Sequence, residues 1–204
     1  GQTSCALTDH GVMYGVIDFY RACKAKGIHP VIGCEVYLAP HSRFERSYVN
    51  GEWHSHLILL CENMTGYRNL IHMVSLGFSE GFYMKPRIDM DLLRQHSEGL
   101  ICLSACLAGV IPRALAEGDM DGAYELCEQF LDIFDRDHFY LEVQDHGIEV
   151  QKKVNEGLYQ LAKELDIGLV ATNDAHYLTK QDAKIQDVLM SIQMGKTVDD
   201  PTRM

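Results

Sequence analysis

Short apolar runs that end on polar residues alternate along this chain with stretches whose apolar residues recur every three to four positions. The first kind predicts strands and the second helices. Residues 2–10 read as a short strand closing on Thr8-Asp9-His10-Gly11. Residues 12–26 read as a helix, with Val12, Val16, Phe19, Tyr20 and Cys23 at helical spacing and Gly27 as its stop. Residues 30–38 form a β-branched and aromatic strand in which Glu35 is the one carboxylate of an otherwise apolar run. A carboxylate buried that way needs a partner. Residues 41–53 are polar and aperiodic, a loop or hairpin turning at Asn50-Gly51. A third strand, residues 56–61, opens on His56, and residues 65–76 follow as an amphipathic helix.

The second half repeats the alternation. Lys85 and Arg87 flank a proline that excludes helix, and a short helix spans 89–95. A strand over 99–106 ends at Cys106, with helices at 108–117 and 121–134 behind it. A strand over 138–146 has a polar tip at His146. A long amphipathic helix over 148–165 then places Val150, Val154, Leu158, Leu161 and Leu165 on one side. The apolar run 169–171 stops at Thr172-Asn173-Asp174-Ala175-His176, and a last helix covers 180–194. This order favours a parallel sheet covered by helices, either a barrel or a doubly wound sheet. His10, Glu35, Cys106, His146, Asp174 and His176 all fall at or just past the C-terminal end of a predicted strand, where a barrel gathers its catalytic groups. A dinucleotide-binding sheet would carry a glycine-rich turn after its first strand, and none is present. The barrel is therefore preferred.

In an extended chain residues i and i+2 share a face, so Asp174 and His176 would aim a carboxylate and an imidazole at one point. Those groups suit a divalent metal. Composition adds bounds. With 204 residues, 47% apolar and 23% charged, the chain is long enough for one large domain with a real core. No apolar run approaches the roughly 20 residues that span a bilayer, which reads as a soluble, cytoplasmic protein. Seven cysteines without a Cys-x-x-Cys pair fit reduced thiols, most of them core residues. A net charge of -11 argues against gripping a nucleic-acid backbone unaided. It suits a site that concentrates cations.

Five motifs occur in order: Thr8-Asp9-His10-Gly11, Gly33-Cys34-Glu35, His56-Leu57-Ile58-Leu59-Leu60, Ser104-Ala105-Cys106-Leu107 and Thr172-Asn173-Asp174-Ala175-His176-Tyr177. Together they resemble the polymerase-and-histidinol-phosphatase (PHP) family, and Lys85-Pro86-Arg87-Ile88-Asp89 is similar to the wording of its bacterial replicative-polymerase branch. The resemblance implies an α/β fold, a distorted seven-stranded β/α barrel holding up to three divalent metal ions, zinc with manganese, iron or magnesium as alternatives. It implies that His10, Glu35, His56, Cys106, Asp174 and His176 are metal ligands. His56 is preferred to His54 because it directly precedes the apolar strand. Asp9, Asn173, His146, Lys85 and Arg87 are expected to orient ligands or meet substrate, with Arg87 a candidate for holding a phosphate oxygen.

The activity implied is phosphoester hydrolysis by a two-metal type of site. The substrate would be a DNA 3′ end, making a 3′-5′ exonuclease, or pyrophosphate, while DNA-directed nucleotidyl transfer would reside in other domains. The alternative from another class is a catalytically silent module that stabilises a polymerase. An amidohydrolase barrel would bring a lysine or carboxylate bridging ligand in mid-barrel, and no clear candidate is found. Partners implied are the remaining polymerase domains, other replisome subunits and DNA, with no membrane. The family's opening His-x-His has no counterpart here. We therefore expect residues 1–195 to be the metal-binding module without its first strand, and 196–204 to begin a linker within a longer chain.

Overall fold

Each apolar run becomes a strand in the computed structural model, which describes residues 1–46 and 53–202. The strands are β1 (Ser4–Leu7), β2 (His29–Leu38), β3 (Ser55–Cys61), β4 (Arg87–Ile88), β5 (Leu100–Leu103), β6 (Phe139–Val143) and β7 (Gly168–Ala171). The helices are α1 (Val16–Ala25), α2 (Met64–Ser79), α3 (Met90–His96), α4 (Val110–Glu117), α5 (Met120–His138), α6 (Glu149–Leu165) and α7 (Ala183–Gln193). The Asn50-Gly51 turn lies outside the described residues. Contacts divide the chain into two compact units, Gly1–Thr172 and Asn173–Met204. The first holds the whole sheet and α1 to α6. The second holds a 3-10 turn (Lys180–Asp182), capped reciprocally by Thr179 and Asp182, that leads into α7.

The sheet runs β1-β2-β3-β5-β6-β7, with β4 added beside β2. The expected all-parallel order is corrected at one strand, because β3 is antiparallel to both β2 and β5. Parallel neighbours need a crossover of a dozen or more residues, usually a helix. Among the described residues between Leu38 and Ser55 there is no helix, and β3 pairs antiparallel with β2. The reversal brings the start of β3, with His56, to the end of the sheet where β1 and β2 deliver His10 and Glu35.

Strand alternation then sorts two faces. Cys34, Val36, Leu38, Leu57, Leu59, Cys102, Phe139 and Leu141 point to one side and join Leu70 and Met73 of α2, Phe130 and Phe134 of α5, and Leu158 and Leu161 of α6 in the main core. Burying a residue of that size stabilises by about 1.5–3 kcal/mol before chain entropy is counted. On the other face Ile58, Leu103 and Ala105 form a smaller cluster with Leu60, Ile101, Tyr140 and Val170. Helix α2 starts where Asn63 accepts from the N–H groups of Thr65 and Gly66, and it buries Gly66, Leu70, Met73 and Gly77 at 4-3-4 spacing. Helix α6 buries Val154, Leu158, Leu161 and Leu165 as expected, but Val150, one turn earlier, is exposed. No helix among the described residues is long and apolar enough to cross a membrane.

Candidate metal centre

The site begins where β1 ends. Glu35 N–H donates to the Asp9 carbonyl at 3.0 Å and Gly11 N–H to the Glu35 carbonyl at 2.9 Å, which fixes His10 beside Glu35. Gly11 adopts φ +66°, and a Cβ there would lie 2.8 Å from Cε2 of Tyr37, so only glycine lets the chain turn away after His10. Within β2, Glu35 and Tyr37 alternate onto the same face, opposite the core residues Cys34 and Val36. Tyr37 pairs with His56 and Glu35 with Ile58 across the antiparallel ladder. His56 therefore lies diagonal to Glu35, within side-chain reach. The His56 Nδ1 stands 2.6 Å, and the His10 Nδ1 3.6 Å, from Oε1 of Glu35. One ligand atom from each of the three lies within 4.8 Å of the others. The lone carboxylate of the apolar run, 5% exposed, thus has two imidazoles as partners.

Cys106 joins from the loop after β5. Ala105 takes a left-handed φ of 63° while buried, a conformation that costs a non-glycine residue roughly 1–2 kcal/mol. Gly109 fits where a Cβ would come within 2.1 Å of the Ser104 carbonyl, and its N–H donates to the Cys106 carbonyl at 2.8 Å. His56 N–H donates to the Ala108 carbonyl at 3.0 Å, tying this loop to the head of β3. The outcome is a thiol whose Sγ is 3.7 Å from His56 Nδ1. Burial pushes the His56 pKa down, but the contacts with Cys106 and Glu35 overcome it and raise it to about 9. Burial, with Glu35 and Cys34 nearby, pushes the Tyr37 phenol up to about 12. Tyr37 is therefore a neutral wall, stacked on His10 at 6.1 Å and edge-on to His56 at 5.5 Å.

The other expected residues separate into several situations. Asp9 acts on the site through its carbonyl, which receives the Glu35 N–H. His146 is tied to α6, its Nδ1 2.9 Å from Nε2 of Gln151 and its N–H donating to Oε1 of Gln151. Asn173, Asp174 and His176 belong to the second unit. There the extended-chain argument for Asp174 and His176 is corrected, because β7 ends at Ala171 and Asp174 adopts φ 45°. The two side chains still meet through the turn, His176 Nδ1 being 3.8 Å from Oδ1 of Asp174.

Arg87 is a correction as a phosphate holder. It is 1% exposed, and its guanidinium donates to the carbonyls of Gly81 (3.1 Å), Trp53 (3.1 Å), Arg43 (3.2 Å) and Glu45 (2.6 Å). It joins two loops and has no fork left for a ligand. Lys85 stays near the site, its Nζ 5.3 Å from the centre of the Tyr37 ring. Sequence reasoning passes over Tyr37, which lines the site, and sets His54 aside. The period-two spacing of Tyr37 from Glu35, and of His54 from His56, is the available signal for both.

Comparison with known proteins places these features in a family. Residues 1–146 match the PHP domain family. The chain is 48% identical over 205 residues to a DNA polymerase III subunit alpha of Treponema pallidum, covering 100% of this chain and 18% of that protein. It is 45% identical to that of Thermus aquaticus, covering 97% and 16%, and 42% identical to that of Aquifex aeolicus, covering 97% and 18%. The chain thus spans less than a fifth of the length of these relatives. A crystal structure from Bifidobacterium adolescentis, described as a metal-dependent phosphoesterase, superposes with a TM-score of 0.53 at 11% identity. The match covers 93% of this chain and 86% of that one, so the two share a fold.

Proposed function

The chain belongs to the PHP domain family, and from that premise we propose that it is the metal-binding module of a bacterial replicative DNA polymerase III alpha subunit. In this reading residues 1–195 are the module, 196–204 lead toward the polymerase domains, and other replisome subunits and DNA are partners of the whole. The observation that carries the reading is the convergence of His10, Glu35 and His56. Two imidazole nitrogens and a carboxylate oxygen within 4.8 Å of one another are a fitting donor set for a divalent ion, and the Cys106 thiol beside them tilts the choice toward zinc, with manganese, iron or magnesium as alternatives. Asp174 and His176 are proposed as further ligands on the strength of their motif and of their own pairing.

The reaction we assign is hydrolysis of a phosphoester, with the 3′ end of DNA as substrate in a proofreading 3′-5′ exonuclease. Divalent ions held there would supply an activated water and neutralise charge on attacking and leaving oxygens. The chain's own residues supply placement. Glu35 holds both imidazoles in register, Tyr37 walls the ligand cluster as a neutral phenol, and the strained Ala105 turn presents Cys106 to His56.

The test uses the polymerase subunit that carries this chain. Glu35→Gln should lower zinc and manganese content, and release of nucleotides from a labelled 3′ end should fall by a factor on the order of 100. Nucleotide incorporation should persist. Wild-type protein that takes up no metal after EDTA treatment and reloading would overturn the reading. Metal uptake without hydrolysis would establish the silent, stabilising module instead.

A further inference from the structure

Glu35 sets where two imidazole nitrogens lie, but not how the rings are turned. Its Oε1 approaches one nitrogen of each, 3.6 Å from His10 and 2.6 Å from His56, and a single contact leaves a ring free to turn about it. The Cys106 thiol meets the same Nδ1 of His56, so it adds no second point on that ring. His10 follows the end of β1 with 38% of its side chain exposed, and its plane needs packing to hold it. Metal bonding is sensitive to that angle, because a ligand must sit within roughly 10–20° of the productive geometry. The ring of Tyr37 supplies the packing. It stacks on His10 at 6.1 Å with the planes 20° apart and meets His56 at 5.5 Å and 73°. Ring pairs about 4.5–7 Å apart favour particular offset-stacked or edge-on arrangements, so each contact carries an angular preference. Tyr37 is itself held fast. It is buried, it stands opposite His56 of β3 and beside Arg87 of β4, and Arg87 is immobilised by four carbonyls. A Cβ at Gly11 would fall 2.8 Å from Cε2 of Tyr37 and 3.1 Å from Cγ of Pro86, so the turn after His10 and the loop before β4 close on the same side chain.

We propose that Tyr37 is a positioning residue for the metal centre, its ring rather than its hydroxyl setting the planes of His10 and His56 so that both present nitrogen lone pairs to one ion. The assignment rests on the metal-centre reading and adds to it the group that orders the ligands before an ion arrives. It accounts for an aromatic side chain two residues beyond Glu35 on the same face of β2. An aliphatic side chain there would fill the space without favouring any ring angle, whereas phenylalanine would keep both the face that stacks on His10 and the packing against His56. It also gives Gly11 a second reason besides its positive φ, since a side chain at that position would push the Tyr37 ring and, through it, both imidazoles.

The experiment uses the polymerase subunit that carries this chain, with zinc and cobalt(II) as probes, and takes the metal that Glu35→Gln removes as the measure of this site. Tyr37→Phe should bind zinc within about threefold of the wild type, while Tyr37→Leu should weaken it by about 10- to 100-fold, the usual loss when a group that orients a ligand is removed. The visible bands of bound cobalt follow ligand geometry, so they should move in Tyr37→Leu and stay in place in Tyr37→Phe. Persisting nucleotide incorporation shows that each variant is folded. A folded Tyr37→Leu subunit with wild-type zinc affinity and wild-type cobalt bands would overturn the positioning role and leave the metal centre standing. A Tyr37→Phe subunit that loses more than about threefold would overturn it as well, because the hydroxyl would then be the acting group, and this variant decides even where leucine prevents folding. A wild-type subunit that takes up no zinc after EDTA treatment and reloading would refute the metal centre itself, and the positioning role with it.

Discussion

His56 answers to two opposed influences, and their balance is measurable. Burial disfavours its charge, while Cys106 and Glu35 favour it strongly enough to raise the pKa from 6.5 to about 9. A folded-state pKa above the unfolded value means that the stabilisation is complete below about pH 6.5 and is lost as pH rises through 9. A shift of that size corresponds to roughly 3 kcal/mol as an upper bound. Metal-free protein should therefore lose thermal stability between pH 6.5 and 9, and His56→Asn should remove most of that loss. His138, raised by Asp135, titrates in the same direction, so the difference between wild type and variant is the quantity to read. The thiols of Cys34 and Cys127, which are buried, and of Cys61, which is half-buried, are pushed by loss of solvent from 9.0 up to about 12 and act only above pH 9. Metal binding displaces the proton of His56, so apparent zinc affinity should climb by about tenfold per pH unit up to pH 9. A flat melting profile with identical wild-type and variant curves would mean that His56 and Glu35 are not paired in solution.

At the scale of elements, periodicity is enough to find every long helix and six of the seven strands among the described residues, because amphipathic faces are written locally. What it missed was relational. β3 runs antiparallel to β2 and β5, and this reversal decides that a histidine at the start of a strand reaches ligands at the ends of others. The two-residue β4 was too short to show a pattern. Arg87 displays a charge in the sequence, yet its function is set by carbonyls brought in from positions 34 to 44 residues away as well as from Gly81 nearby. Arg87→Met should leave four acceptors stranded, costing on the order of 3–5 kcal/mol and lowering the melting temperature by roughly 10 °C. A shift of less than about 2 °C in a calorimetric scan would show that water satisfies those carbonyls and that the two loops do not depend on this side chain.

For the molecule as a whole, the candidate ligands divided according to what the sequence can express. Glu35 was legible as a lone carboxylate needing a partner and His56 from its place before an apolar run, whereas the left-handed turn at Asp174 is a backbone property that no residue pattern announced. The second unit carries a further consequence. On α7, Ile185, Val188, Leu189 and Ile192 follow the i, i+3, i+4, i+7 spacing of a buried stripe, yet they are 61%, 45%, 55% and 70% exposed. A helix of 11 residues is marginal in water unless such a stripe is covered. The 204-residue chain made alone should therefore self-associate through this face. The net charge of -11 opposes association at long range, so added salt, which screens repulsion without weakening apolar contact, should increase the associated fraction. Light scattering across protein and salt concentration measures this directly. Ile185→Lys combined with Ile192→Lys should return the chain to a monomer and make the α7 amides exchange faster. A wild-type chain that stays monomeric at every salt concentration, with α7 amides protected from exchange, would show that the stripe is already covered in solution.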